Sequence, residues 1–148
     1  MRTAIVYYSE HHGNTKRLLD AIAEQSDITL VEASGCLQMD LSEFDLIGFA
    51  SGIYYSKFHD TVLQFAEKNL PHKKKVFILY TYGVKRSSYA DAIKNIIDLN
   101  DGDLLGTYYC PGFDTFGPFK LIGGIAKGRP NSDDVAGAVK FFQEIINK

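Results

Sequence analysis

The chain is poor in cysteine and has no long apolar run. Its two cysteines, Cys36 and Cys110, are too few for a disulfide framework and form no CxxC pair, so both are expected to be reduced thiols. No apolar run approaches the roughly 20 residues that a membrane-spanning helix needs. Met1 and Arg2 lead straight into an apolar segment, without the layout of a signal peptide. These absences predict a cytoplasmic protein that does not enter a membrane.

The chain also lacks an excess of either charge. Its 16 lysines and arginines oppose 18 aspartates and glutamates, which gives a net charge of -2. Nucleic-acid binding is not expected, because it depends on a basic surface. With 45% hydrophobic residues in 148 positions, the composition is that of a folded protein, and disorder and collagen are excluded. We predict one domain over residues 1–148.

Five segments rich in β-branched and aromatic residues predict strands. They are residues 3–8, 28–32, 46–51, 76–81 and 104–110. The first, third and fourth segments are nearly continuous apolar runs, which is typical of strands covered on both faces of a parallel sheet. The second and fifth carry more polar residues and are expected at the edges of the sheet.

Amphipathic helical segments alternate with these strands. Apolar residues at helical spacing predict helices over residues 15–25, 60–70 and 88–99, and a last helix that begins after Pro130 with Ser132 as its N-cap. Alternating strands and helices form right-handed crossovers, which place helices on both faces of a parallel sheet. The predicted fold class is therefore a doubly wound α/β sandwich.

The segment between the first strand and the first helix has the features of a phosphate site. Gly13 allows a tight turn, and the amides after it open a helix whose dipole favours an anion. Ser9, Asn14 and Thr15 add polar side chains. Neither GxxxxGKS/T nor GxGxxG is present, so we expect a single terminal phosphate rather than a nucleoside triphosphate or a dinucleotide. The alternative is that these small polar residues only cap the helix.

Gly13, Asn14 and Thr15, directly after an apolar strand, resemble the phosphate loop of flavodoxins. Residues 51–54 and 110–130 are similar to the corresponding segments of short bacterial flavodoxin-like proteins. The resemblance implies a five-stranded parallel sheet with the strand order 2-1-3-4-5. It also implies noncovalently bound flavin mononucleotide (FMN) and the transfer of one or two electrons.

The loop departs at two positions from the usual flavodoxin run Ser/Thr-x-Thr-Gly-Asn-Thr. His12 stands where a threonine is usual, and Glu10 stands where the first hydroxyl is usual. We expect Glu10 to face solvent, because an inward carboxylate would repel a phosphate dianion. His11 or His12 would donate a proton to a phosphate oxygen, with solvated histidines as the alternative. The predicted phosphate-site residues are Ser9, His11, His12, Gly13, Asn14 and Thr15.

Two further segments are expected to hold the flavin ring, because ligands of open α/β sheets collect at the carboxyl ends of the strands. After the third strand, backbone partners and an apolar wall would come from Ser51, Gly52, Ile53 and Tyr54. By resemblance, this loop meets the N5 edge of the flavin. The alternative is that Tyr54 and Tyr55 pack against the last helix.

After the fourth strand, contacts with the pyrimidine end of the ring are expected from Thr81, Tyr82, Gly83, Val84 and Tyr89. Either tyrosine is a candidate for stacking on the flavin. Lys85 and Arg86 lie in the same loop, where flavodoxins usually have acidic surroundings. A cation beside the pyrimidine would stabilise the anionic reduced flavin and raise its potential. Two solvated side chains are the alternative.

A long irregular segment, residues 111–131, follows the last strand. Its phenylalanines and aliphatic residues make it too apolar to lie bare on the surface. It would fold on itself as packing, contact a partner, or cover the flavin edge. Phe113 and Asp114, nearest the strand end, are best placed for the last role.

Two functions fit this sequence. The first is an electron carrier between redox protein partners, such as a reductase or a ferredoxin-type donor or acceptor, acting as a monomer or weak dimer. The second is an FMN-dependent oxidoreductase that acts on a quinone or a porphyrin precursor, with His59, Tyr55 or Asp114 guiding protons. No catalytic constellation or metal-ligand pattern is evident in the sequence, which favours the carrier. The net charge of -2 weakens it, because flavodoxins are strongly acidic.

Overall fold

Five parallel strands form the centre of the protein. The computed structural model describes residues 1–10, 13–114 and 121–148. The parallel strands are β1 (Thr3–Tyr8), β2 (Ile28–Glu32), β3 (Leu46–Tyr54), β5 (Lys75–Tyr82) and β6 (Asp103–Pro111), and the short β4 (Lys57–Phe58) pairs antiparallel with the end of β3. The order across the sheet is β2-β1-β3-β5-β6. This arrangement confirms the predicted order of the five parallel strands.

In the described part of the chain, four α-helices cover the two faces of the sheet. They are α1 (Asn14–Gln25), α2 (Asp60–Asn69), α3 (Asp91–Leu99) and α4 (Ser132–Ile146). Helices α1 and α4 cover one face, and α2 and α3 cover the other. The predicted doubly wound α/β fold is therefore confirmed. None of the helices in the described ranges has the length and hydropathy required to span a bilayer.

The core consists of two layers, one on each side of the sheet. Along β1, Ala4 and Val6 pack under α2 and α3, whereas Ile5 and Tyr7 pack under α1 and α4. Successive side chains of a strand point to opposite faces, so a strand covered on both faces needs apolar residues at every position. This requirement explains the continuous apolar runs of the central strands.

Strand β3 is longer than the predicted segment 46–51. It continues to Tyr54 because Ile53 and Tyr54 pair with Phe58 and Lys57 in a two-residue hairpin. The turn residues Tyr55 and Ser56 have φ angles of 51° and 65°. A hairpin of this kind requires positive φ at both turn positions, and its usual signal is Asn-Gly, which this turn lacks. The prediction therefore ended the strand too early.

Two helix starts also differ from the prediction. Helix α3 begins at Asp91 rather than Ser88, because Tyr89 is buried in the core before the helix starts. The N-cap of α4 is Asn131 rather than Ser132. The Asn131 side chain accepts a hydrogen bond from the amide of Asp134, whose carboxylate accepts one from the Asn131 amide. This reciprocal pair is a capping box, with aspartate in the place of the usual glutamate.

A backbone bridge joins two described residues of the long segment 111–131, Asp114 and Ile125. Asp114 and Ile125 exchange two backbone hydrogen bonds of 3.0 and 2.8 Å. Between the bridged residues, the side chains of Leu121 and Ile122 are 89% and 71% exposed. The expectation that the loop is too apolar to lie bare is therefore wrong for these two residues. Phe116 and Phe119 lie outside the described residues.

Candidate functional site

A cleft lies where the parallel strands end. Its narrow part holds about 20 Å³ and is lined by Glu10, Asn14, Gly52, Ile53, Thr81, Tyr82, Gly83, Gly112, Phe113 and Asp114. Its wide part holds about 360 Å³ and is lined by Ile53, Tyr55, Ser56, Gly83, Val84, Arg86, Tyr89 and Asp114. The two parts share Ile53, Gly83 and Asp114, so they form one continuous cleft. The carboxyl ends of β1, β3, β5 and β6 meet here because the strands are parallel.

The start of α1 has the backbone geometry of an anion site. Gly13 has a φ of 66°, in the left-handed region, and its amide donates to the Glu10 carbonyl oxygen at 3.3 Å. The Ser9 hydroxyl accepts a hydrogen bond from the Lys16 amide at 3.1 Å. The amides of Asn14 and Thr15 belong to the first helical turn, which has no intrahelical acceptors for them. Amides of this kind, at the positive end of the helix dipole, bind anions.

Asn14 brings a buried polar atom to the narrow part of the cleft. Its side-chain amide nitrogen donates to the Phe113 carbonyl oxygen at 2.8 Å. Its Oδ1 atom is buried and accepts no hydrogen bond within the part of the chain that the structure describes. Gly112 leaves room for this side chain, because a Cβ atom there would lie 2.6 Å from Asn14 Nδ2. Asn14 lines the narrow part of the cleft, and its unsatisfied Oδ1 is the candidate acceptor that Asn14 offers to a ligand there.

A buried hydroxyl pair joins the start of α1 to the end of β5. Thr15 and Thr81 are 1% and 3% exposed, and their Oγ1 atoms lie 2.9 Å apart. Thr81 lines the narrow part of the cleft, whereas Thr15 lies behind it. The pair fixes the start of α1 to the sheet. Their contact with a cofactor stays a prediction.

Ser51 is fully buried and holds the loop after β3. Its hydroxyl accepts from the His59 amide at 3.0 Å and donates to the Gly52 carbonyl oxygen at 2.5 Å. Ser51 therefore shapes the backbone at Gly52 and Ile53, which line the cleft. The predicted contact of Ser51 with a cofactor is not tested by this geometry.

Tyr54 packs beside the cleft in an aromatic cluster with Tyr8 and His59. The His59 ring stacks on Tyr8 with centroids 3.7 Å apart, and Tyr54 meets both rings edge to face. The Tyr54 hydroxyl accepts a hydrogen bond from the Glu10 amide at 3.0 Å. Burial raises the pKa of Tyr54 above its ordinary value and lowers the pKa of His59, the latter against the opposing charge of Asp60. Both groups are therefore held in their neutral forms.

The two predicted stacking tyrosines occupy different parts of the cleft. Tyr82 is half-buried and lines the narrow part. Tyr89 is 6% exposed, lines the wide part, and donates its hydroxyl proton to the Val84 carbonyl oxygen. That bond ties Tyr89 to the loop after β5.

The two cationic side chains after β5, Lys85 and Arg86, lie in different places. Arg86 lines the wide part of the cleft. Lys85 lies over the ring of Tyr109, with Nζ 5.4 Å from the ring centroid. Arg86 is therefore the cation that borders the candidate ring site, and Asp114 is an acidic group that borders the same space.

Most of the predicted site residues meet at the cleft. Those that line it are Asn14, Gly52, Ile53, Thr81, Tyr82, Gly83, Val84, Tyr89, Phe113 and Asp114. Those whose contacts fix the surrounding loops are Ser9, Gly13, Thr15, Ser51 and Tyr54. His11 and His12 lie outside the described residues, so their predicted role in phosphate binding stays a prediction.

Several lining residues were missed by the predicted set. Glu10 is exposed, as predicted, yet it also borders the narrow part. Gly112 lines the narrow part, and nothing in the sequence distinguishes it from other glycines that follow a strand. Tyr55 and Ser56 reach the wide part because of the hairpin turn, whose positive φ angles no turn motif signals. Arg86 also lines the wide part, although the predicted set left it out and the sequence offered either a cation beside the flavin or a solvated side chain.

Cys110 lies at the end of β6 and is 3% exposed. Burial raises the pKa of its thiol to about 12, and the nearby Asp134 carboxylate acts in the same direction. The thiol is therefore protonated at neutral pH and is a poor nucleophile. This agrees with the prediction of a reduced cysteine.

Comparison with known proteins places the chain in a family. The model of the flavodoxin domain matches residues 5–100. An uncharacterized protein of Methanocaldococcus jannaschii is 33% identical over 148 residues, which cover 99% of this chain and 99% of that protein.

Solved structures share the fold. Oxidised flavodoxin 2 from Bacillus cereus has a TM-score of 0.74 at 16% identity, with 99% of each chain covered. Rubredoxin oxygen:oxidoreductase from Desulfovibrio gigas has a TM-score of 0.75 at 14% identity, and the match covers 99% of this chain and 35% of that one. At these identities the structures show the fold alone, and the family follows from the domain model, which covers more than half of the chain: the chain belongs to the flavodoxin domain family.

Proposed function

We propose that this protein binds FMN in the cleft and carries electrons between redox protein partners. The observation that carries the proposal is the buried acceptor Asn14 Oδ1, which has no described partner and lies beside the opening turn of α1. FMN brings both complementary groups, because its ribityl chain has hydroxyl donors and its end is a phosphate. Membership of the flavodoxin domain family supports the same cofactor.

The residues around the cleft fit the three parts of FMN. The amides of Asn14 and Thr15 would hold the phosphate, and Asn14 Oδ1 would accept from a ribityl hydroxyl. The wide part, at about 360 Å³, lies within the range of about 300–1,000 Å³ common for small-molecule sites. There, Ile53 and Val84 offer apolar contact to a flat ring, and the backbone of Gly83 offers polar contact to its edge.

When bound, FMN supplies reversible uptake of one or two electrons. The protein has to bind and orient it and to exclude water from part of it. Neutral, buried Thr15 and Thr81 hold the start of α1 against the sheet without adding charge. The exposed Tyr55 and Val84 lie at the rim of the wide part, where a partner would approach.

The position of His59 favours the carrier over a substrate-specific oxidoreductase. The oxidoreductase alternative used His59 as a proton guide, but its Nδ1 accepts from the Thr61 amide at 3.2 Å and its ring stacks on Tyr8. Burial also lowers its pKa, so it holds a proton less readily at neutral pH. An electron carrier needs no such proton donor.

Titration of the apoprotein with FMN and with riboflavin tests cofactor binding. We expect one FMN per chain, flavin absorbance bands near roughly 375 and 450 nm, and much weaker binding of riboflavin, which lacks the phosphate. Asn14→Leu removes the buried acceptor and should raise the Kd for FMN about tenfold. Asn95→Leu, an exposed asparagine on α3, is the matched control and should leave the Kd unchanged.

Three results would contradict this assignment: no uptake of FMN, equal affinity for riboflavin, or equal effects of the two asparagine substitutions. Stopped-flow mixing then separates the two functions. The FMN-loaded protein should be reduced rapidly by a flavodoxin or ferredoxin reductase and should turn over quinones slowly. Rapid, saturable quinone reduction would favour the oxidoreductase instead.

A further inference from the structure

The side chain of Tyr54 joins the hairpin at the end of β3 to the loop before α1. The hydroxyl of Tyr54 accepts a hydrogen bond from the Glu10 amide at 3.0 Å, across 44 residues of sequence. Glu10 is the residue that follows Ser9 in the loop between β1 and α1. The contact therefore crosses from the candidate ring side of the cleft to its candidate phosphate side.

The Tyr54 ring is held on several sides. It meets Tyr8 edge to face at 5.6 Å and His59 edge to face at 4.9 Å between centroids. His59 is itself fixed, since its amide donates to Ser51 Oγ and its ring caps α2. On the remaining side, a Cβ atom at Gly52 would lie 3.3 Å from the Tyr54 hydroxyl, so glycine allows the ring this close approach. A ring held in this way presents its hydroxyl at a defined point.

Glu10 forms a second backbone hydrogen bond besides the one from its amide to Tyr54. The Glu10 carbonyl oxygen accepts from the Gly13 amide at 3.3 Å, which links Glu10 to the residue that precedes α1. Tyr54 accepts from the Glu10 amide, and Gly13 donates to the Glu10 carbonyl oxygen, so two hydrogen bonds fix the backbone of Glu10. Glu10 is exposed, and its carboxylate forms a hydrogen bond with the Tyr8 side chain. A preorganised loop binds an anion more tightly, because less conformational entropy is lost on binding.

We infer that Tyr54 is a positioning residue of the phosphate site, which orients the amides that open α1 through Glu10 and Gly13 and so strengthens binding of a phosphomonoester. This inference rests on the proposed FMN function. It differs from the expectation that Tyr54 forms a wall for the flavin ring. Burial keeps the hydroxyl neutral, since it raises the Tyr54 pKa, so the hydroxyl accepts from Glu10 without placing a negative charge beside a phosphate.

The experiment compares FMN with riboflavin in the Tyr54→Phe protein. Phenylalanine keeps the ring and its packing and removes only the hydroxyl. We expect the Kd for FMN to rise about 3- to 10-fold, as for the loss of one hydrogen bond, and the Kd for riboflavin to change less than about twofold. Tyr109→Phe is the matched control, because Tyr109 is exposed on β6 and lines neither part of the cleft; both Kd values should match the wild type.

The outcomes separate the inference from the proposed function. If the wild type binds FMN and Tyr54→Phe weakens FMN and riboflavin equally, Tyr54 contacts the ring and the inference is wrong. If Tyr54→Phe leaves FMN binding unchanged or tightens it, the hydroxyl does not prepare the loop and the inference is again wrong. If the wild type binds no FMN, the proposed function fails and the inference fails with it. Thermal unfolding of each apoprotein checks that the variants are folded.

Discussion

At the scale of single residues, burial decides which side chains are available for chemistry. Cys110 has a thiol pKa raised to about 12, so its position near the cleft does not make it reactive. His59 is half-buried, and desolvation lowers its pKa. The neutral form is required where it stands, because Nδ1 accepts from the Thr61 amide and protonation would remove that acceptor.

The lowered pKa of His59 predicts a pH-dependent stability. The unfolded chain, with a histidine pKa of about 6.5, takes up a proton before the folded protein does. The contribution of His59 is therefore fully present above pH 6.5 and is lost as pH falls through the lower pKa of the folded state. Asp60 and Glu10, the acidic groups that act on the ring, oppose the shift and make it smaller.

His59→Asn tests this by keeping an N-cap acceptor and removing the titration. Urea unfolding of both proteins between pH 7.5 and 5 should show the wild type losing stability relative to the variant as pH falls. A constant difference between them across this range would contradict the prediction. Every other residue is the same in both proteins, so the comparison isolates position 59.

At the scale of secondary-structure elements, the ends are set by specific hydrogen bonds. Helix α4 begins where Asn131 and Asp134 cap each other, and Arg129 adds two hydrogen bonds to the Asp134 carboxylate at 2.6 and 2.8 Å. These contacts lower the pKa of Asp134 and keep it charged at the positive end of the helix dipole. They also fasten the end of the long loop to α4.

Two alanine substitutions distinguish the observed N-cap from the predicted one. Asn131→Ala removes the acceptor for the Asp134 amide and should lower the free energy of unfolding by about 1 kcal/mol. Ser132→Ala changes an exposed residue inside the first turn and should change it by less than about 0.5 kcal/mol. Chemical denaturation at neutral pH measures both. A larger loss for Ser132→Ala would mean that the helix starts one residue later in solution.

At the scale of the whole molecule, the placement of charge matters more than its sum. The net charge of the chain is -2, but this sum says nothing of where the charges lie. The cation Arg86 lines the wide part of the cleft, and the acidic Asp114 lines the same part. Lys85, the adjacent cation, is held over Tyr109. A positive charge next to a reduced, anionic flavin stabilises it by Coulomb attraction.

We therefore expect Arg86 to raise the reduction potential of bound FMN. Arg86→Gln should make the potential for full reduction more negative, and Lys85→Gln should shift it less. Spectroelectrochemical titration of the three FMN-loaded proteins compares them, and repeating it at high salt should shrink the effect of Arg86 if it is electrostatic. Equal shifts for the two substitutions would contradict a specific role of Arg86.

Much of the fold was predictable because it depends on local patterns. Continuous apolar runs identify β1, β3 and β5 as central strands, since a strand covered on both faces has no place for polar residues. Alternation of strands and helices leaves few topologies, and the resemblance of the loop at Gly13 gave the strand order. The ends of β3 and α3 were less predictable, because a hairpin turn without a turn motif and the burial of Tyr89 decide them.

The sequence by itself determined the α/β architecture and the segments that meet at the carboxyl edge of the sheet, because periodicity and strand direction are properties of short stretches. Only the tertiary structure decided which side chains of those segments touch. Asn14 reaches Phe113 across 99 residues, Thr15 reaches Thr81 across 66, and Glu10 reaches Tyr54 across 44. Such contacts depend on the exact position and direction of each side chain after folding, which no local pattern of residue types specifies.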